Sequence, residues 1–246
     1  MVDFTGGTWR SLIDGSEVAA IPDSDLSHYW TFAESGVEDT EDVNGDIDMA
    51  VNDGTWQSDQ GIGDNYLAYE SGDEPSRATS ANFGTATATM MMWFRPDTTG
   101  YQVFASTNNS TQGVAFRYDL DDNREISLFL NNADGGGNLT IGGGTLFTVD
   151  VGEWAFMAGT WELATNEGIL YAGKSTDDSI TQVDSTTSYD DGGGDIAGAD
   201  KITVGRNQDG GNEFTGAIDA PQYGIDQVLS QSDIDRFFND SKEFYQ

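Results

Sequence analysis

Cysteine is absent from the 246 residues, and proline, histidine and cationic residues are scarce. Without cysteine the chain has no disulfide framework, no thiolate metal site and no cysteine nucleophile. No apolar run reaches the roughly 20 residues that a transmembrane helix needs, so we expect no membrane insertion. Lysine and arginine total only 10. With no basic patch to neutralise phosphates, nucleic acid is not an expected partner. The amino terminus lacks a basic stretch followed by an apolar one, so we expect no secretory signal.

What the chain has in excess is acid. Aspartate and glutamate total 43, which gives a formal net charge of −33, and only three of the ten cations are lysines. Hydrophobic residues make up 37% and aromatic residues 11% of the sequence, so this is a folding chain and not a disordered acidic segment. At physiological salt, where the Debye length is about 8 Å, the acidic side chains of such a domain repel one another. Molar salt shortens the Debye length to about 3 Å and screens most of this repulsion. We therefore expect a high-salt environment, in a halophile or in a virus that infects one.

Short apolar or alternating segments separated by glycine-rich turns dominate the chain, a pattern typical of β-strands. The predicted strands are residues 86–94, 113–118, 125–130, 154–161, 168–172, 201–205 and 216–223. The second and third of these are expected to form one hairpin, and the fourth and fifth another. Because no long helical pattern interrupts the series, it predicts a single antiparallel β-sandwich.

One short helix is predicted near the C-terminus. Ser230 has the character of an N-cap, with Asp233 three residues later. Ile234, Phe237 and Phe238 then fall on one helical face, which we expect to pack against the sandwich.

Residues 1–27 differ from the rest of the chain in composition and spacing. We predict an extended N-terminal arm that becomes ordered by docking, either onto a partner protein or in oligomerisation. An edge element of the same sandwich is an equally weighted alternative. The domain proper is then expected to comprise residues 28–246.

Seven segments carry a resemblance to a known family. They are HYWTFAESG at 28–36, DVNGD at 42–46, TMMMWFRPDTT at 89–99, GEWAFMAGTW at 152–161, ITVGRN at 202–207, FTGAID at 214–219 and VLSQSDI at 228–234. In this order the set resembles the laminin-G-like family of concanavalin A-like jelly rolls. The fourth segment departs from the family pattern because its two usual histidines are absent. The resemblance implies an all-β fold, an antiparallel sandwich of the concanavalin A-like jelly-roll type.

The resemblance also implies a calcium site, because such domains often bind Ca²⁺ where the acidic loop after the first strand meets the aspartate of the FTGAID strand. The matching residues are Asp42, Asp46 and Asp219, with Asn44 or the carbonyl of Gly45 as lesser candidates. Carboxylate and carbonyl oxygens are the ligands that Ca²⁺ prefers. Asp46 stands where the family usually has asparagine, and the extra carboxylate would favour a divalent ion. The alternative is that these are ordinary solvated acids in a chain rich in aspartate.

Glycan binding is expected to use loop aromatics and amides, because a sugar offers both apolar C–H faces and hydroxyl groups. The loop residues that fit are Trp56, Tyr101, Asn108 and Tyr189. The alternative for each is ordinary packing at a strand end. The tryptophans in strand-like segments are instead expected in the core: Trp30, Trp93, Trp154 and Trp161.

Catalysis has little support in the sequence. Glycan hydrolases of this fold set their paired carboxylates on one strand in an E-x-D-x-x-E pattern, which does not occur here. His28, the one histidine, opens a predicted core strand and has no serine or acid partner in a recognisable motif, so we expect a structural role. The chain is therefore predicted not to be an enzyme.

The resulting hypothesis is a non-enzymatic surface protein of a haloarchaeal virus, such as a turret, spike or tail fibre. The viral context is assigned by analogy and not by a motif. Its lectin-like domain would attach to host-surface glycans or to the S-layer glycoprotein, or would decorate the capsid or tail. The arm would contact other virion proteins, and a homo-oligomer is expected. The alternative is a glycan-binding module of a haloarchaeal cell-surface or secreted protein.

Overall fold

The computed structural model describes residues 26–33, 36–58, 60–83, 87–107, 113–119, 123–131, 138–187, 199–207 and 211–246. Within them lie the strands β1 (His28–Tyr29), β2 (Asp39–Thr40), β3 (Met49–Ala50), β4 (Thr55–Ser58), β5 (Asn65–Tyr69), β6 (Ser76–Phe83), β7 (Thr87–Pro96), β8 (Gln102–Ser106), β9 (Gly113–Tyr118), β10 (Ile126–Asn131), β11 (Asn138–Gly142), β12 (Ala155–Glu162), β13 (Glu167–Lys174), β14 (Thr181–Thr186), β15 (Ala199–Val204) and β16 (Gly216–Ile225). One α-helix, α1 (Gln231–Ser241), follows, and 3₁₀ turns occupy Ile62–Asp64, Leu163–Thr165 and Lys242–Tyr245.

The strands form two antiparallel sheets. The first has the order β14-β13-β12-β7-β16-β5-β4, with β1 also paired to β16. The second has the order β11-β10-β9-β8-β15-β6-β3-β2. Both predicted hairpins are confirmed, because β9 pairs with β10 and β12 pairs with β13. The predicted antiparallel sandwich is confirmed as well.

The main core lies between the two sheets and is rich in aromatic rings. Trp30 and Trp161 are fully buried within it, as the sequence predicts. Phe94 of β7 stacks on Phe104 of β8, with ring centroids 4.4 Å apart, and so joins the two sheets directly. Burying side chains of this size contributes roughly 1.5–3 kcal/mol each.

A second core lies on the outer face of the first sheet, beneath α1. Trp93 and Phe156 of the sheet pack there against Phe237 and Phe238 of the helix. The indole N–H of Trp93 also donates a hydrogen bond to Ser241 Oγ at 2.9 Å. Because β7 is covered on both faces, its apolar residues run without the polar alternation of a half-exposed strand.

The helix begins where the sequence predicts. Ser230 accepts a hydrogen bond from the backbone N–H of Asp233, and the Asp233 carboxylate reaches back to the N–H of Ser230, which completes a capping box. Ile234, Phe237 and Phe238 are buried on the face toward the sheet.

The end of the predicted arm contacts the sandwich. Leu26 is buried in the second core, and the backbone N–H and hydroxyl of Ser27 both donate to Gln227 Oε1. The rest of the predicted arm, residues 1–25, lies outside the described residues, as do the glycine clusters at 135–137 and 192–194. No helix in the described ranges is long and apolar enough to span a bilayer.

Candidate functional site

The loop after β1 is organised around the buried carboxylate of Asp42. Its Oδ2 atom lies 2.6 Å from Nδ1 of His28, and its Oδ1 atom accepts hydrogen bonds from the backbone N–H groups of Tyr29 and Gly45. A Cβ atom at position 45 would collide with Asp42 Oδ2, so this close approach requires glycine. Burial alone would raise the pKa of Asp42, but the hydrogen bonds from His28, Tyr29 and Gly45 lower it below its ordinary value. Asp42 thus holds the first strand against its loop as a buried anion.

Asp219 lies in β16 and is completely buried. Its Oδ2 atom accepts hydrogen bonds from the Ile62 N–H and the Tyr245 hydroxyl, each at 2.7 Å, and its Oδ1 atom accepts from the Ala220 N–H. Burial raises the pKa of Asp219 well above its ordinary value, and the three hydrogen bonds offset this only in part. Burial and the nearby Asp219 charge also raise the pKa of Tyr29. Asp219 therefore ties the C-terminal segment to the first sheet.

The predicted calcium ligands fall into separate hydrogen-bonded groups. The oxygens of Asp42 and those of Asp219 already accept from different N–H and O–H donors. The amide of Asn44 donates to the Leu26 carbonyl at 2.9 Å, and Asp46 is exposed. Among the described residues, no group of three or more histidine, aspartate or glutamate side chains could hold a metal ion. In this arrangement the residues do not fit a shared Ca²⁺, and the calcium site stays a prediction of the family resemblance.

The predicted glycan-binding residues lie in different parts of the structure. Tyr101 is partly exposed, immediately before β8. Trp56 lies on β4, and the interpretation of it as a loop residue was wrong: its ring packs edge-on against Phe32, at 6.1 Å between centroids, and borders the main core. Asn108 and Tyr189 lie outside the described residues.

Tyr101 belongs to a cluster on the outer face of the second sheet. Because side chains alternate along β9 and β10, residues between the core positions point away from the core. The cluster, called here the Tyr101 face, consists of Tyr101, Val103, Ala115, Arg117, Ser127 and Phe129. Of these, only Tyr101 was singled out from the sequence. The outward positions of the hairpin strands were the signal that could have identified the others.

The geometry of the Tyr101 face centres on Arg117. Its guanidinium carbon lies 3.2 Å from the ring centroid of Phe129 and 5.8 Å from that of Tyr101. Ser127 lies directly opposite Arg117 in the β9–β10 pairing, and Val103 lies opposite it in the β8–β9 pairing. The partly exposed ring of Tyr101 can stack against a sugar, and the partly exposed guanidinium of Arg117 can donate hydrogen bonds to it.

Two open grooves lie elsewhere on the surface. One, of about 690 Å³, is lined mainly by acids, with Arg77 beside Glu74. The other, of about 330 Å³, lies on the first sheet, where Glu162 and Glu167 face each other across β12 and β13 above the buried Trp161. The Tyr101 face combines a partly exposed aromatic ring with an arginine that has no carboxylate partner among the described residues. The described lining of neither groove offers this combination.

Comparison with known proteins identifies the family. Residues 70–235, more than half of the chain, match the laminin-G-like family described as "Concanavalin A-like lectin/glucanases superfamily". The chain belongs to this superfamily. No curated protein matches the sequence.

Solved structures share this superfamily fold at low sequence identity. Domain 4 of the extracellular arabinanase AbnA from Geobacillus stearothermophilus, solved with arabinotriose, aligns over 86% of this chain and 97% of its own, with a TM-score of 0.61 and 15% identity. The botulinum neurotoxin serotype G binding domain aligns over 87% of this chain and 50% of its own, with a TM-score of 0.64 and 12% identity. The CBM40 domain of the Ruminococcus gnavus IT-sialidase, bound to α2,6-sialyllactose, aligns over 63% and 84%, with a TM-score of 0.50 and 14% identity.

Proposed function

We propose that the protein is a non-enzymatic, lectin-like surface protein that binds glycans through the Tyr101 face. The observation that carries this proposal is the cluster itself, in which the partly exposed Arg117 contacts both the buried ring of Phe129 and the partly exposed ring of Tyr101. A sugar ring stacks on an aromatic side chain through its C–H face and accepts hydrogen bonds at its rim.

The structural relatives support this choice. Two of them, the arabinanase domain and the CBM40 domain, were solved with oligosaccharides bound. Within the described residues, Glu162 and Glu167 face each other across two neighbouring strands, whereas hydrolases of this fold set their paired carboxylates on one strand. A binding role therefore accounts for the surface better than glycan hydrolysis does.

We place the protein on the virion surface of a haloarchaeal virus, as a spike, turret or fibre formed by a homo-oligomer. The net charge of −33 supports a high-salt location, because the repulsion within such a domain needs strong screening. Residues 1–25 would dock the sandwich onto other virion proteins. Contacts of this kind would leave the glycan-binding face directed toward the host.

A second candidate is a glycan-binding module of a haloarchaeal cell-surface or secreted protein. It is favoured by the arabinanase relative, because this chain spans 97% of a domain that is one part of a larger extracellular enzyme. Deleting residues 1–25 separates the two candidates while keeping the contacts of Leu26 and Ser27. A virion protein should keep its melting temperature but lose oligomerisation and incorporation into particles, whereas a module should lose neither.

The binding function is tested on a glycan array and on isolated host envelopes in molar NaCl, with and without EDTA. We expect specific binding that persists in EDTA, because the Tyr101 face contains no carboxylate ligand for a cation. Loss of binding on chelation would indicate that glycans bind at a cation-dependent loop and not at the Tyr101 face. The absence of binding under both conditions would indicate that the protein has an architectural role and does not bind glycans.

A further inference from the structure

Among the described residues, Arg117 differs from four other arginines in having no carboxylate partner. Four described arginines lie within 4.0 Å of a carboxylate: Arg77, Arg95, Arg124 and Arg206. For Arg117, no carboxylate within this distance is found in the described residues, although the chain contains 43 acids. A partly buried cation without an anion is unfavourable, because it gives up water without gaining a charge partner.

The contacts that Arg117 does make leave its hydrogen-bonding capacity open. The guanidinium carbon lies 3.2 Å from the ring centroid of Phe129, a cation–π contact that supplies no hydrogen-bond acceptor to its N–H groups. Its Nε atom is buried and has no hydrogen-bond partner among the described residues. Burial lowers the pKa of Arg117, which shows that the surroundings compensate the charge incompletely.

A second unpartnered donor lies beside it. Ser127 is 1% exposed, and its hydroxyl makes no hydrogen bond with any described residue. The strand register places Ser127 directly opposite Arg117, and Leu128, next along β10, points into the main core. The buried hydroxyl therefore lies on the same side of the sheet as Arg117, whose guanidinium carbon is 5.8 Å from the ring centroid of Tyr101.

This combination selects for one ligand chemistry. A carboxylate or sulfate group accepts several hydrogen bonds at once and pairs well with the planar fork of arginine. A neutral sugar hydroxyl would leave the charge of Arg117 uncompensated. Tyr101 offers the stacking surface that a sugar ring carrying such a group would use.

We infer that the Tyr101 face recognises an acidic glycan, a uronic acid or a sulfated sugar, whose anionic group pairs with Arg117. This inference rests on the proposed glycan-binding function and names its substrate class. The long-range repulsion between an acidic ligand and a chain of charge −33 is screened in molar salt, whereas the partly buried Arg117 contact is screened much less.

The test compares each acidic ligand with a counterpart whose anionic group is esterified or removed. Oligogalacturonate is titrated against its methyl ester, and a sulfated galactan oligosaccharide against its desulfated form, all by calorimetry in molar NaCl. We expect at least one charged form to bind about tenfold more tightly than its neutral counterpart. The two pairs distinguish carboxylate from sulfate as the preferred group.

Arg117→Gln should remove this preference, because it keeps amide donors but loses the charge. Arg95→Gln is the matched control: Arg95 also lies over two aromatic rings, those of Tyr66 and Trp154, but it is paired with Asp97. The control should keep the preference unchanged. If Arg117→Gln unfolds, NMR of the isotope-labelled wild-type protein takes the place of this variant. The side-chain N–H signals of Arg117 should then shift on titration with the acidic sugar.

The outcomes separate the two proposals. Equal affinity for charged and neutral forms, an unchanged preference in Arg117→Gln, or unmoved Arg117 signals would overturn the inference and leave glycan binding intact. The absence of binding to any charged or neutral glycan would overturn both.

Discussion

The carboxylate of Asp42 lies 2.6 Å from Nδ1 of His28, and both side chains are buried where the first strand meets its loop. The imidazole also lies parallel to the indole of Trp30, with ring centroids 5.7 Å apart. The one histidine of the chain is therefore a structural residue, which positions a loop and faces the main core.

Asp42→Ala should be among the more destabilising substitutions in the protein. The substitution leaves the backbone N–H groups of Tyr29 and Gly45 and the ring of His28 without their hydrogen-bond partner. Each buried polar group left unsatisfied costs roughly 1–3 kcal/mol of folding free energy. We expect a loss of about 3 kcal/mol in urea unfolding in molar salt. Asp46→Ala is the control, because Asp46 is an exposed acid of the same loop and should change the stability by less than about 0.5 kcal/mol. Equal effects of the two substitutions would show that the buried network is not what stabilises the loop.

Asp219 gives the protein a pH dependence of the opposite sign to that of an ordinary paired carboxylate. Its folded-state pKa is raised, so the folded protein holds a proton that the unfolded chain loses above a pKa of about 3.9. The resulting stability is fully present below that pKa and is lost as the pH rises toward the folded-state pKa. Asp219→Asn does not titrate, so its stability relative to wild type should improve as the pH rises from about 4 toward the folded-state pKa of Asp219. Unfolding free energies across that range, measured in EDTA, test this, and a constant difference would contradict it.

Calcium should have little effect on stability, because the carboxylates of its candidate site are already engaged in hydrogen bonds. The oxygens of Asp42 and Asp219 accept from N–H and O–H donors, which a cation would have to displace. We expect melting temperatures in excess CaCl₂ and in EDTA to agree within about 2 °C, a shift that corresponds to about 1 kcal/mol for a chain of this size. A clear rise with CaCl₂ that Asp219→Asn abolishes would establish the family's calcium site here.

Salt should raise the stability markedly. With 43 acids against 10 cations, folding brings like charges together, and screening reduces that cost. The melting temperature should therefore climb from dilute buffer to molar NaCl, and KCl should act equally well because the effect depends on ionic strength. A melting temperature that is flat or falls with salt would contradict a high-salt environment.

Much of the fold could be predicted from the sequence, because local signals and global packing agree along most strands. The alternating residues of 113–118 and 125–130 and the N-cap at Ser230 each led to the element found there. Some strands missed in the sequence are short, such as β2 and β3, or polar, such as β14, but the fully buried β8 was missed as well. Their pairing with neighbours decides their conformation, and a single sequence does not display that pairing.

The candidate site was less predictable, because it is a product of strand register. Arg117 and Ser127 are ten residues apart in the chain and become neighbours only through the β9–β10 pairing. Trp56 shows the converse error: a tryptophan near a turn-rich segment was interpreted as a loop residue, yet its ring packs against Phe32. Likewise, the contact between His28 and Asp42 forms because the loop folds back onto β1, which no motif marks.

The most direct test of the central claim, that the Tyr101 face binds glycans, is the affinity of Tyr101→Ala for the best ligand found on the array. Calorimetry in molar NaCl should show binding at least about tenfold weaker than that of the wild type. Val228→Ala, which alters an exposed side chain at the groove on the first sheet, should bind as the wild type does. Undiminished binding by folded Tyr101→Ala, or a loss confined to Val228→Ala, would place the glycan site elsewhere and contradict this account.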